Sequence, residues 1–155
     1  MQRFPLSCLA VCLASSLMAA STAQWICYPE PFDAGLEKPR YFRKEITVKN
    51  GLQKALFYTL IDDAGWVQID GKVVGNEGRF HDHYLKGNDV TPALKTPGVH
   101  ALASQVINMA GSGGLICRLE LQYDDGTVEE ICSDASWLCS TESPDGWNMP
   151  NFDAA

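Results

Sequence analysis

Between Tyr41 and Ser140 the sequence alternates apolar and polar residues with a period of two, broken at short intervals by turn residues. That period belongs to half-buried strands, whose successive side chains point to opposite faces of a sheet. A helix would place apolar residues three and four apart. Tyr41 to Val48 sets Phe42, Ile46 and Val48 against Arg43, Glu45 and Thr47. Ala55 to Ile61 is a β-branched and aromatic run suited to a buried central strand. Trp66 to Asp70 runs into Asp70-Gly71, a two-residue hairpin signal, and Lys72 to Val74 returns. Val99 to Asn108 carries Leu102, Ser104 and Val106 on one face. Cys117 to Tyr123 alternates Leu119, Leu121 and Tyr123 against Arg118, Glu120 and Gln122. Asp124-Asp125-Gly126 is a second hairpin signal, Thr127 to Cys132 returns, and Trp137 to Ser140 is one more short strand. Pro92 and Pro97 leave room for a single helical turn, Ala93-Leu94-Lys95. Eight or nine strands and no amphipathic helix of useful length predict an all-β fold, an antiparallel β-sandwich or jelly roll. Gly111-Ser112-Gly113-Gly114 lacks the following helix and Lys-Ser/Thr of a phosphate loop, so nucleotide binding is not expected.

The 155 residues suit one domain, and 46% hydrophobic with 20% charged residues suit a packed core rather than a disordered chain. Twelve Lys+Arg against 19 Asp+Glu give a net charge of -7. No basic patch is available for nucleic acid or for an anionic membrane surface. Residues 1–23 read as a secretory signal peptide. Arg3 is its only charge, Phe4 to Met18 is apolar, and Ser21-Thr22-Ala23 offers small residues for cleavage before Gln24. The expected mature domain is therefore 24–155, secreted or periplasmic, with no membrane contact after cleavage. Of six Cys, four remain in that domain: Cys27, Cys117, Cys132 and Cys139. An oxidising compartment permits disulfides. Four Cys allow three pairings; Cys132 and Cys139 flank Asp134-Ala135-Ser136 and would face each other across a hairpin, leaving Cys27 with Cys117, and four buried free thiols are the alternative.

Glycoside hydrolysis needs two carboxylates roughly 5–9.5 Å apart across a sugar. Asp62-Asp63 is the adjacent acidic pair that lies near a loop and a Trp, and strand alternation is expected to separate its side chains. No catalytic residue is assigned. Sugar binding asks for an aromatic platform under the apolar sugar face and planar polar side chains at its rim. Trp66, Tyr84 and Trp147 fall at strand starts or in loops, and Arg79, His81, His83, Asp89 and Asn108 supply polar groups. The plainer readings stand beside these: Trp66 and Trp147 as core plugs, Asp89 capping the turn before Thr91-Pro92, Asn108 closing a loop. His81-Asp82-His83 places two imidazoles on one strand face but lacks a third metal ligand. His100 lies within a strand, where a satisfied polar role is expected. No cofactor is expected; the Asp content is compatible with structural Ca²⁺, although no EF-hand-like loop is present.

Several stretches, in order, resemble the galactose-binding-like jelly rolls found at the N-terminal side of α-L-rhamnosidases and related glycoside hydrolases. Ala64-Gly65-Trp66 through Asp70-Gly71 to Gly75 is similar to their central hairpin. Asp89-Val90-Thr91 with Leu94, Gly98 and Asn108 is similar to their next segment, and Asp134-Ala135-Ser136-Trp137 to a later one. Trp25 and Tyr41-Phe42-Arg43-Lys44 fit their opening. The resemblance runs from Trp25 to Asp153. Cys27 and Cys117 depart from it, and 76–83 follow no recognisable pattern. Such domains normally continue beyond Phe152-Asp153 with a further strand, so this chain is expected to lack its final strand and to expose a sheet edge that invites association. The resemblance implies a non-catalytic carbohydrate-binding accessory module from the front of a longer glycan-processing protein. Its partners would be a glycan or a covalently linked catalytic domain. The alternatives are a truncated α-L-rhamnosidase-type hydrolase and a structural or protein-interaction sandwich without a small ligand.

Overall fold

The structure, a computed structural model, describes residues 22–31, 33–78 and 87–153. The sequence-predicted signal peptide therefore lies almost wholly outside the described residues, as do Arg79, His81, His83 and Tyr84. Nine strands are described: β1 (Pro39–Val48), β2 (Leu52–Asp62), β3 (Ala64–Ile69), β4 (Lys72–Gly78), β5 (Asn88–Asp89), β6 (Gly98–Ile107), β7 (Gly114–Tyr123), β8 (Val128–Cys132) and β9 (Leu138–Ser140). A single helical turn, α1 (Thr91–Leu94), starts earlier than its sequence suggests. Pro92 fits its first turn, where no backbone N–H is needed, and Leu94 is fully buried.

The strands form two antiparallel sheets, one ordered β4-β3-β6-β1-β9 and the other β5-β2-β7-β8. This is a β-sandwich. The inward phase of each alternation fills the space between the sheets: Phe42, Ile46 and Val48 from β1, Ala55, Phe57 and Ile61 from β2, Val67 and Ile69 from β3, and Leu115, Leu119 and Leu121 from β7. Sheet-on-sheet packing of this kind leaves the outward phase of each strand for solvent or for function.

The Asp70-Gly71 signal becomes the β3–β4 turn, with φ of 49° and 74°. Two successive positive φ values suit the right-handed strand twist, and Asp and Gly tolerate them. Asp70 also leaves its own hairpin: Oδ1 accepts from the Ala101 N–H (2.8 Å), and Oδ2 lies 2.6 Å from His100 Nδ1. His100 is thus the satisfied strand histidine its position suggests. Asp89 caps the turn before α1, accepting from the Thr91 N–H (3.0 Å) and hydroxyl (2.6 Å).

Three expectations are corrected. β4 runs on past Val74 to Gly78, through residues of low strand propensity. The predicted hairpin around Asp134-Ala135-Ser136 does not form: β8 closes the four-stranded sheet, whereas β9 pairs with β1 at the edge of the other. Trp137 makes the difference. It is buried, donates from Nε1 to the Cys132 carbonyl (3.2 Å), and plugs the core while the chain crosses between sheets. Cys132 and Cys139 therefore do not face each other across a hairpin. No disulfide joins the described cysteines, so neither the Cys132–Cys139 nor the Cys27–Cys117 pair is linked. The N-terminal segment is held instead by the Ile26–Leu115 bridge and by Ser133, whose buried hydroxyl accepts from the Cys117 N–H (3.0 Å) and donates to the Gln24 carbonyl (2.6 Å).

Candidate functional site

The strand registers gather aromatic side chains on the outer face of the five-stranded sheet. Trp66 pairs with Gln105, Gln105 with Tyr41, and Tyr41 with Ser140, which makes one row across β3, β6, β1 and β9. Trp66, Gln105 and Tyr41 are all half-buried on that face. Trp147 reaches the row from the C-terminal segment, its ring centroid 5.0 Å from that of Tyr41 at 66°, an edge-to-face contact. Trp66 and Trp147 thus lie on the outer face rather than plugging the core.

Residues 141–153 form a strap laid over this face. The Asn148 amide donates to Gln68 (2.7 Å), and the Asn151 N–H donates to Glu45 (2.8 Å). Met149 packs at the hairpin tip, where a side chain on Gly71 would meet its sulfur at 2.8 Å. Beneath the strap sits Arg43, only 8% exposed. Its Nη2 donates to Glu45 Oε1 (2.9 Å) and to the Met149 carbonyl (3.3 Å), and its guanidinium lies 5.3 Å from the Phe152 ring centroid. Its Nε–H has no hydrogen-bond partner. Between strap and sheet edge opens a groove of about 400 Å³, bordered by Tyr41, Arg43, Glu142, Trp147, Phe152 and Asp153.

A second cavity, of about 240 Å³, lies at the loop end of the sandwich beside Tyr28, Glu30, Arg40 and Asn108. Arg40 donates to both Glu30 carboxylate oxygens at 2.7 Å and lies 5.1 Å from the Tyr28 ring centroid. The Arg40 hydrogen bond holds the Glu30 carboxyl below the usual carboxylate range. Asn108 closes the following loop, donating to the Gly111 carbonyl (3.0 Å) and accepting from the Ala110 N–H (3.2 Å).

β2 ends at Asp62, so Asp63 lies outside its alternation. Asp63 turns its carboxylate onto the Met109 and Ala110 N–H groups (2.7 and 3.1 Å). Burial, followed by the neighbouring Asp63 charge, pushes the Asp62 carboxyl up. Among the described residues, no group of three or more His, Cys, Asp or Glu is placed to hold a metal ion, so no calcium site is derived.

The structure thus brings together Trp147 and, on the same face, Trp66, and it places Asn108 at the other cavity. Tyr41, Arg43, Glu142 and Phe152 were not singled out from sequence. The available signal was the outward phase of Tyr41-Phe42-Arg43-Lys44, which puts an aromatic and a guanidinium on one face.

No protein-family model matches the chain. It is 30% identical over 148 residues to an α-L-rhamnosidase of Streptomyces avermitilis, covering 84% of this chain and 13% of that enzyme. The crystal structure of an α-L-rhamnosidase from Streptomyces avermitilis complexed with L-rhamnose superposes with a TM-score of 0.73 at 28% identity, over 86% of this chain and 14% of that one. A lectin from Pleurotus ostreatus in complex with GalNAc superposes with a TM-score of 0.67 at 23% identity, over 84% and 38%. The chain thus resembles the N-terminal β-sandwich domains of α-L-rhamnosidases and shares a galactose-binding-like fold with the lectin. It spans about an eighth of the length of the curated relative it matches.

Proposed function

We propose that the chain is a non-catalytic carbohydrate-binding module, an accessory part of a longer, exported glycan-processing protein of the α-L-rhamnosidase kind. One observation carries this reading: the likeness to a rhamnosidase covers 84% of this chain but 13% of the enzyme. Such proportions suit one module of a multidomain protein. The aromatic-lined groove supports a ligand-binding role. Export rests on the composition of residues 1–23. No helix among the described residues is long and apolar enough to cross a membrane. The partners would be a glycan and a catalytic domain on the same polypeptide.

Affinity electrophoresis through gels containing rhamnogalacturonan, galactan, xylan or bacterial exopolysaccharide tests the binding role. Retardation by at least one of these is expected. Equal mobility in every gel would overturn it. The same 30% identity favours a second reading, in which the chain is the front of a rhamnosidase. Release of aryl alcohol from an aryl α-L-rhamnoside by this chain alone would favour that hydrolase and count against a non-catalytic module.

A further inference from the structure

The groove under the strap differs from the loop-end cavity in ways that bear on ligands. Its roughly 400 Å³ falls within the range of about 300–1,000 Å³ usual for small-molecule sites, whereas the 240 Å³ cavity falls below it. The guanidinium at the loop-end cavity is already committed, since Arg40 gives two hydrogen bonds to Glu30 and a third to the Pro39 carbonyl (3.0 Å). In the groove, Arg43 is nine-tenths buried yet leaves its Nε–H without an acceptor. An unpaired buried donor is costly, so sequences retain one where it is otherwise compensated. The groove wall also combines an edge-to-face aromatic pair, Tyr41 and Trp147, with the carboxylates of Glu142 and Asp153.

We propose that this groove is the sugar subsite of the module and that it takes a single neutral pyranose unit rather than a uronic acid or sulfated sugar. The proposal rests on the carbohydrate-binding reading above and deepens it. Trp147 offers a half-exposed ring to the apolar C–H face of a pyranose. Glu142 accepts hydrogen bonds from its hydroxyls, and the Arg43 guanidinium donates to a hydroxyl or ring oxygen. Charge decides the class of sugar. The Arg43 cation in the groove already has the Glu45 carboxylate at 2.9 Å, and Glu142 adds a further carboxylate to the groove wall. The chain as a whole carries -7. An anionic sugar would meet net repulsion, whereas a neutral sugar meets acceptors matched to its hydroxyl donors.

The test uses the full chain and follows tryptophan fluorescence during titration with L-rhamnose, N-acetylgalactosamine, galactose and glucuronate, alongside the electrophoresis above. Wild-type chain is expected to bind at least one neutral sugar and to bind glucuronate at least about tenfold more weakly. Trp147→Ala and Glu142→Gln are each expected to weaken neutral-sugar binding by about tenfold. Glu142 is exposed, so its variant retains the fold even if Trp147→Ala does not. Binding by wild type that is unchanged in Glu142→Gln and in any folded Trp147→Ala overturns the subsite while leaving the module reading intact. Tighter binding of glucuronate overturns the sugar class. Absence of any retardation or fluorescence change in wild type overturns the module reading itself.

Discussion

His100 Nδ1 stands 2.6 Å from Asp70 Oδ2, while Nε2 of the same ring stands 2.7 Å from the carbonyl oxygen of Thr96. One imidazole therefore ties the tip of the β3–β4 hairpin to the segment that enters β6. The other Asp70 oxygen takes the Ala101 N–H, so a single carboxylate holds both a side chain and the backbone of the neighbouring strand. The hairpin tip is also where Met149 of the strap rests. The polar clamp is thus linked mechanically to the groove, although it lies outside it.

Asp70→Ala is expected to cost about 2–3 kcal/mol. It strands the Ala101 N–H and puts alanine at a φ of 49°, which alanine tolerates poorly. Asp70→Asn keeps an acceptor and a residue at home in that conformation, and is expected to cost less than half as much. Urea midpoints at unchanged m-value measure both variants.

Thr59 points the other way. It is 1% exposed, and its hydroxyl has no hydrogen-bond partner within the core. Valine has the same shape without the stranded polar group. Thr59→Val is expected to stabilise the fold by about 1 kcal/mol, raising Tm by about 4 °C, whereas Thr59→Ala destabilises it by leaving a void. Calorimetry of the pair decides, and a lower Tm for the valine variant would contradict the assignment.

Acid should release the Glu30–Arg40 pair. The folded pKa of Glu30 lies below its unfolded value. Its stabilisation is therefore fully present above about pH 4.3 and is lost as pH falls through the lower folded value. At pH 7, Glu30→Gln is expected to cost about 1 kcal/mol, because the bidentate pair is only partly buried. The gap between variant and wild type should close in acid, which stability curves between pH 7 and pH 2 would record.

Thiol labelling follows burial. Cys27 and Cys139 are exposed, while Cys117 and Cys132 are buried, and burial pushes the Cys117 thiol upward. Of these four, Cys27 and Cys139 should be alkylated in the native protein, and the other two only after unfolding. Mass spectrometry of peptides labelled before and after denaturation counts them. A non-alkylatable pair that reduction restores would show a disulfide instead.

Much of the sandwich was legible because each long strand buries one phase of its alternation, and that phase is written in the residue types. Phe42, Ile46 and Val48 read as inward from their residue types alone, and they are inward. The turn at Asp70-Gly71 was legible because positive φ selects those residues. The crossing between β8 and β9 was not. A short polar turn between two strands looks the same whether they pair with each other or part to opposite sheets, and only the burial of Trp137 separates the cases. The groove was half legible. Trp147 stood out as a loop aromatic, but Tyr41 and Arg43 belong to a strand's outward phase, which reads as ordinary surface until a strap from residues 141–153 covers it.

Three residue pairs join β9 to β1, whereas ten join β1 to β6 on its other side. Tension applied through the C-terminal side would therefore peel the strap and β9 away before the sandwich gives. The groove would open under a load that leaves the rest of the domain folded, so its grip on a ligand would act as a mechanical fuse. A sugar held there would in turn staple the strap to the sheet and raise the force needed to strip it.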